Sequence, residues 1–191
     1  MPILWREGEH KPFAETFKDY RMWFNHVIKV ESSEILSAGN LWQFLTRGAM
    51  IICKNNQLGV DIVLPACLEK ENLSKDTITA VFIQVKNAEK YKLKVDRGLL
   101  DAMHPLSLGL FSEDEIPRPI IRMVFALASW QNGVNFPNPR RYEPHHPNEF
   151  TAFDVWCAGL SSDTFNHIRR ADLHPTISGF AAPFTSSIGY N

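Results

Sequence analysis

Three polar residues interrupt two segments that otherwise have the pattern of buried β-strands. Asp61 lies inside the apolar run 58–65, and Gln84 and Lys86 lie inside the run 78–87. Both runs are rich in β-branched and aromatic residues and are bounded by turn formers, which is typical of interior strands. A carboxylate, an amide and an ammonium are costly to bury there unless they pair with one another or bind an ion. The pattern therefore indicates either a structural ion pair or an ion-binding site.

Strand geometry relates these side chains to one another. Residues two apart point to the same face, so Gln84 and Lys86 share a face with Phe82. Carboxylate and amide oxygens suit a hard cation such as Mg²⁺. If the two segments are neighbouring strands, we expect the side chains of Asp61 and Lys86 to emerge on one face, close together. The alternative is a cross-strand ion pair between Asp61 and Lys86, with Gln84 bonded to a nearby backbone group.

Local patterns also predict the helices around these strands. Aromatic and aliphatic residues at three- and four-residue steps predict an amphipathic helix over 11–30. A second helix is predicted over 37–47, with a serine as its N-cap and Gly48 after its end. A short third helix is predicted over 95–103, before Pro105, because proline disfavours helix at the preceding residue.

The remaining segments are predicted as strands and connections. Residues 49–65 are predicted to form a hairpin that ends with the Asp61 strand. The charged stretch 66–77 is predicted to be an exposed connection to the strand 78–87. A further core strand is predicted over 119–128, and the proline-rich stretch 130–148 is predicted to be a loop.

Length and composition favour one domain over 1–191. The 191 residues are 45% hydrophobic, enough for a sizeable core. We expect the core of this domain to lie over about 37–128, after the helical segment 11–30. The stretch 129–191 is expected to be a proline-rich loop and C-terminal extension, with one more helix candidate at 162–171.

Charge and cysteine content narrow the class of protein. A net charge of −1 gives no overall attraction to nucleic acid or membranes, so any polyanion site must be a local patch. The three cysteines are far apart, without zinc-ligand spacing, which fits a reducing compartment. The first residues lack a secretory pattern, and no apolar run approaches the roughly 18 residues that span a bilayer. We therefore expect a soluble intracellular protein, cytoplasmic or nuclear.

The order helix, strand, strand, strand, helix, strand, with Asp61 and the triplet Gln84-Val85-Lys86, resembles the PD-(D/E)xK nuclease superfamily. The resemblance covers about 37–128. It implies an α/β restriction-endonuclease-like fold, with a mixed central β-sheet flanked by helices, and hydrolysis of DNA or RNA dependent on Mg²⁺ or Mn²⁺. Gln84 stands where an acid is commoner, and Gln-x-Lys variants resemble Mrr-like restriction enzymes. The chain also looks like a group of uncharacterised fungal proteins.

The resemblance also implies a role for each residue. Asp61 would be the essential metal ligand. The side-chain oxygen of Gln84 and the backbone carbonyl of Val85 would add further ligands. Lys86 would orient the attacking water and stabilise charge in the transition state. Asp61, Gln84 and Lys86 are therefore the predicted catalytic residues.

Two questions stay open at this point. A further acid from the preceding helix would be Glu31 or Glu34, but neither lies within the predicted helix 37–47. A neutral amide at Gln84 also binds a dication more weakly than a carboxylate does. That substitution favours the rival interpretation, a non-catalytic interaction or nucleic-acid-binding protein that keeps the nuclease-like fold as a scaffold.

Weaker signals concern nucleic acid and metal. Basic residues and aromatic residues could flank a nucleic-acid groove, the first supplying phosphate contacts and the second stacking on bases. These are Arg140, Arg141, Lys90, Lys92 and Lys94, with Trp130 or Tyr142. A histidine pair, His145-His146, lies in the proline-rich stretch, where solvated histidines are the usual case.

Overall fold

The structure is a computed structural model that describes residues 11–55, 58–69, 74–112, 115, 117–142, 150–161 and 164–165. Within these ranges the chain is a mixed α/β structure built on one nine-stranded sheet. None of the helices in these ranges is long and apolar enough to cross a membrane.

In the described residues, three short α-helices accompany the sheet: α1 (Phe13–Phe17), α2 (Ala38–Thr46) and α3 (Arg97–Ala102). The strands are β1 (Tyr20–Arg21), β2 (His26–Lys29), β3 (Ala49–Ile52), β4 (Ile62–Leu68), β5 (Ile78–Lys86), β6 (Ile120–Ala126), β7 (Gly133–Asn135), β8 (Arg140–Tyr142) and β9 (Phe150–Ala158).

The sheet mixes parallel and antiparallel pairs. Its order is β2-β3-β4-β5-β6-β9-β7, with β1 paired to β4 and β8 paired to β9. Strands β3, β4 and β5 form an antiparallel meander, whereas β5, β6 and β9 run parallel. Helix α3 lies in the connection between β5 and β6, as a parallel crossover requires.

The predicted succession of α2, hairpin, strand, α3 and strand is confirmed. Helix α2 begins after Ser37, whose hydroxyl accepts the Asn40 N–H at 3.4 Å, and Gly48 beyond its end has φ +66°. Both ends thus follow the N-cap and left-handed glycine rules. Leu41 and Leu45 are fully buried, so α2 packs its apolar stripe on the sheet.

One face of the sheet carries the main core. Phe82 of β5 and Val124 of β6 are fully buried together with Leu41 of α2 and Leu100 of α3. The opposite face is covered in part by α1, where the rings of Phe13 and Phe17 pack edge-on against Phe153.

The helix predicted over 11–30 is wrong beyond α1. Residues 26–29 form β2 instead, which pairs in parallel with β3 and supplies partners for the backbone of that strand. The β-branched run from Val27 to Val30 suits this role, and tertiary pairing outweighs the helical spacing of the aromatic residues. Trp23 and Phe24, two aromatic residues of that predicted helix, are 43% and 49% exposed.

Two strand predictions also need correction. The strand expected over 58–65 begins later and runs to Leu68, so Ala66 and Cys67 are buried strand residues and not an exposed connection. The sheet extends past residue 128, because residues 152–158 of β9 pair with the whole of β6. Strand β9 was not predicted, because its run Phe150–Ala158 contains an acid, Asp154, and follows the proline-rich stretch. That stretch in turn contributes the short strands β7 and β8.

The buried charges explain the odd residues of β6 and β9. Arg122 and Asp154 are fully buried side chains that form a two-pronged ion pair, with N–O distances of 2.7 and 3.0 Å. Arg122 also donates to the Leu100 carbonyl at 2.8 Å, which ties α3 to the sheet. Burial raises the pKa of the Asp154 carboxyl, and the attraction of Arg122 opposes that rise.

Arg140 does not flank a nucleic-acid groove as predicted. It is only 4% exposed and forms ion pairs with Asp101 at 2.7 Å and with Asp154 at 3.5 Å. The side chains of Arg141 and Tyr142, the pair His145-His146 and nearly all of the helix candidate 162–171 lie outside the described residues.

Candidate active site

The predicted site residues meet at one edge of the sheet. Strand β4 is antiparallel to both β3 and β5, so its first residues lie beside the last residues of those two strands. Asp61 immediately precedes β4, and Gln84 to Lys86 end β5. The fold therefore brings together the residues that lie 23 and more positions apart in the sequence.

The Asp61 carboxylate is docked on β5. Its Oδ2 accepts the Val85 N–H at 2.6 Å. Ile83 lies opposite Ile62, and its carbonyl accepts the Asp61 N–H at 2.9 Å. Two consecutive residues therefore face Ile83, as in a β-bulge, a feature that ends pairing and redirects a side chain. Since strand N–H groups lie in the plane of the sheet, the carboxylate oxygen bonded to Val85 lies close to that plane.

Gly59 holds the segment that leads into Asp61. Its φ is +90°, and a Cβ placed there would be 2.1 Å from the Ala102 carbonyl at the end of α3. Only glycine allows this approach without strain. The close contact between Gly59 and Ala102 thus sets where the chain enters β4, and with it the position of Asp61.

Gln84 is the most unusual residue of the site. Its side chain is 3% exposed on the Phe82 face, and its Oε1 is buried with no hydrogen-bond partner among the described residues. An unsatisfied buried acceptor costs about 1–3 kcal/mol. The predicted alternative, in which Gln84 bonds to a neighbouring backbone group, is therefore absent from the described part of the structure. Among the described residues, no donor engages this oxygen.

Lys86 is half-buried on the same face as Gln84 and ends β5. Its backbone carbonyl accepts the Leu127 N–H at 2.9 Å, which fixes the end of the strand against the turn after β6. Within the described residues its ammonium forms no ion pair, so Lys86 and Asp61 do not form the cross-strand pair that was the structural alternative. No carboxylate of the described residues therefore neutralises the charge of Lys86.

The donors at this edge fit a hard divalent cation, but weakly. The Oδ1 oxygen of Asp61, the unpartnered Oε1 of Gln84 and the carbonyl of Val85 are all oxygen atoms, as Mg²⁺ and Mn²⁺ prefer. The Val85 carbonyl is directed toward the β4 side of its strand, as is its N–H. In the described ranges no group of three or more His, Cys, Asp or Glu residues could hold a metal. Among the three predicted ligands, Asp61 alone carries a negative charge.

The predicted helix acids do not join the site. Glu31 is exposed and forms an ion pair with Lys29 at 3.5 Å. Glu34 is exposed in a single 3-10 turn, Ser33–Leu36, that precedes α2. Neither residue belongs to α2, so this helix supplies no carboxylate.

Cys53 lies beside Asp61 and was not predicted to belong to the site. Its N–H donates to the Asp61 carbonyl at 2.8 Å, and its side chain is 3% exposed. Burial raises the pKa of the Cys53 thiol to about 12, and the nearby Asp61 carboxylate adds to the rise. The thiol is therefore neutral at pH 7 and packs in the hydrophobic core.

Comparisons of the chain with protein-family models, with curated proteins and with solved structures found no significant match.

Proposed function

We propose that this protein is a metal-dependent nuclease with a restriction-endonuclease-like core, in which Asp61, Gln84 and Lys86 form the active site. The observation that carries the proposal is the buried Oε1 of Gln84, which has no partner among the described residues, on the strand end where Asp61 and Lys86 also lie. The succession of α2, β3, β4, β5, α3 and β6 supports it, because the resemblance implies that order of elements.

Asp61, Gln84 and the Val85 carbonyl would hold Mg²⁺ or Mn²⁺. When bound, the cation supplies positive charge beside the phosphate. The bond from Val85 N–H orients the Asp61 carboxylate with one oxygen still available. Lys86, with its unneutralised ammonium, would place a water for attack on phosphorus and stabilise the charge that develops on the phosphoryl oxygens. Each of these roles is strongest in the transition state, which is the requirement for catalysis.

A cleavage assay tests this proposal. The purified chain, with Mg²⁺ or Mn²⁺, is incubated with single- and double-stranded DNA and RNA, and the rate is compared with those of Asp61→Asn and Lys86→Ala. We expect cleavage by the wild type and a loss of about a hundredfold or more in each variant. Asp76→Asn and Lys75→Ala are matched controls, because these residues precede β5 at its other end. Wild type without cleavage on any substrate, or variants as active as the controls, would overturn it.

A non-catalytic scaffold is the second candidate, and one observation favours it. The Asp61 carboxylate already has a structural role, since it satisfies the Val85 N–H at the end of the β4–β5 ladder. With only one carboxylate among the predicted ligands, such a protein would keep the nuclease-like arrangement and bind nucleic acid or another partner without cutting. Binding of nucleic acid without cleavage in the same assay is the result expected of it.

A further inference from the structure

We propose that the surface formed by Lys90, Lys92 and Trp130 binds unpaired nucleotides and delivers a single strand to the site at Lys86. The inference rests on the proposed function, because it names the substrate class of that site. We call this surface the tryptophan platform.

The tryptophan platform lies at the same edge of the sheet as Lys86. Strands β5 and β6 are parallel, so the connections that follow them leave from the same edge. Lys90 and Lys92 lie in the first connection and Trp130 lies in the second. In open α/β sheets this carboxyl edge is where ligands bind.

Hydrogen bonds hold the two connections together. The fully buried Trp156 donates its indole N–H to the Lys92 carbonyl at 2.6 Å. The Leu93 N–H donates to Oε1 of Gln131 at 2.9 Å. The backbone on either side of the platform is thus fixed by the sheet itself, so its shape exists before any ligand arrives. A preformed surface loses less entropy on binding.

Trp130 is the exposed aromatic residue of the platform. Its side chain is 69% exposed, and the Lys92 ammonium lies 5.9 Å from its ring centroid. An exposed indole face offers a stacking surface for any base, and a lysine beside it meets the adjoining phosphate. Trp156 shows the contrast, because its side chain is fully buried in the core.

The local charge is complementary to a polyanion. The segment 86–97 contains five basic residues and two acidic ones, although the whole chain has a net charge of −1. Lys90, Lys92 and Lys94 are all exposed. Positive charge is therefore concentrated on the segment that leaves the candidate site. Bases inside a duplex already stack on each other, so a tryptophan selects unpaired bases, whether in DNA or RNA.

Fluorescence anisotropy tests the platform without requiring catalysis. The probes are fluorescein-labelled oligo(dT) and oligo(U) of about 12 nucleotides and a DNA duplex of equal length, in EDTA so that no metal-dependent cleavage takes place. We expect wild type to prefer the single strands, and Trp130→Ala to weaken single-strand binding by about tenfold with little change for the duplex. Lys92→Gln should weaken binding and make it less dependent on salt.

Matched controls and contrary outcomes are available. Trp23→Ala removes another exposed tryptophan, 43% exposed, before β2, and should leave affinity unchanged. Equal affinity for duplex and single strand, equal effects of Trp130→Ala and Trp23→Ala, or competition by polyglutamate as strong as by oligo(dT) would overturn the platform. If Trp130→Ala loses single-strand binding while wild type never cleaves, the platform stands and the nuclease proposal fails. If wild type and Trp130→Ala cleave at the same rate, the nuclease proposal stands and the platform fails.

Discussion

The Asp61 carboxylate accepts a hydrogen bond from the Val85 N–H at 2.6 Å, and so takes the place that a backbone carbonyl would hold in a continued β4–β5 ladder. Asp61→Asn keeps an oxygen that can accept this bond, whereas Asp61→Ala removes it. We expect Asp61→Ala to lower the free energy of unfolding by about 1–2 kcal/mol and Asp61→Asn to lower it less. Urea unfolding followed by circular dichroism measures the stability of both variants. An equal loss of stability in the two would contradict a stabilising role for this hydrogen bond.

Gln84→Met should raise stability and abolish cleavage. It removes a buried acceptor that has no partner among the described residues, so we expect a gain of about 1 kcal/mol in the free energy of unfolding. Gln84→Glu adds a charge near Asp61 and should destabilise the chain without metal, yet increase the rise in melting temperature that Mn²⁺ produces. Differential scanning calorimetry with and without Mn²⁺ checks both variants. A metal response identical to that of wild type would remove Gln84 from the coordination sphere.

Gly59→Ala should destabilise the protein more than Gly109→Ala does. The added Cβ would lie 2.1 Å from the Ala102 carbonyl, and φ at this position is +90°. Strain of the backbone alone costs about 1–3 kcal/mol, and the contact with Ala102 adds to it. Gly109→Ala is the matched control, since φ is +77° there and no atom lies within 4 Å of the added carbon. Thermal melts that rank the two variants equally would contradict the close approach.

The buried ion pair between Arg122 and Asp154 predicts strong non-additivity. Asp154→Leu leaves the Arg122 guanidinium buried beside Leu100 and should cost about 3–5 kcal/mol. The double variant Arg122→Met with Asp154→Leu should be more stable than either single variant, because it removes both members of the β6–β9 pair while Arg140 keeps its partner Asp101. As a control, Glu69→Gln breaks an exposed pair with Arg21 and should cost less than about 1 kcal/mol. A double-mutant cycle by chemical denaturation measures the coupling, and additive effects would refute it.

The buried thiols predict a loss of stability in alkali. Burial raises the pKa of Cys53 from its ordinary value of 9.0 to about 12, and also raises the pKa values of Cys67 and Cys157. Between pH 9 and 12 the folded chain therefore holds more protons than the unfolded chain, so the free energy of unfolding falls as the pH rises. In Cys53→Ala the free energy of unfolding should fall less steeply with rising pH than in the wild type. Native protein at pH 8 should react with a thiol reagent such as DTNB only slowly, and full reaction before unfolding would contradict the burial.

The chain's local patterns were sufficient for the central elements. Ser37 and Gly48 mark the ends of α2, and the β-branched runs identify β4, β5 and β6, because capping and strand propensity act over a few residues. The polar residues within those runs, Asp61 and Gln84, were visible for the same reason. Local rules did not identify β2 or β9, since each depends on a strand that lies far away in the sequence.

The identity of the candidate site residues, and the alternation that places Gln84 and Lys86 on one strand face, follow from local patterns in the chain. The surroundings of these residues depend on the folded structure. In the folded chain, Asp61 accepts the Val85 N–H, and Gly59 lies close to the end of α3. Gln84 Oε1 has no partner among the described residues, and Arg140 is buried in an ion pair with Asp101. Hydrogen-bond satisfaction and desolvation depend on every neighbour in three dimensions, and spacing along the chain does not specify those neighbours.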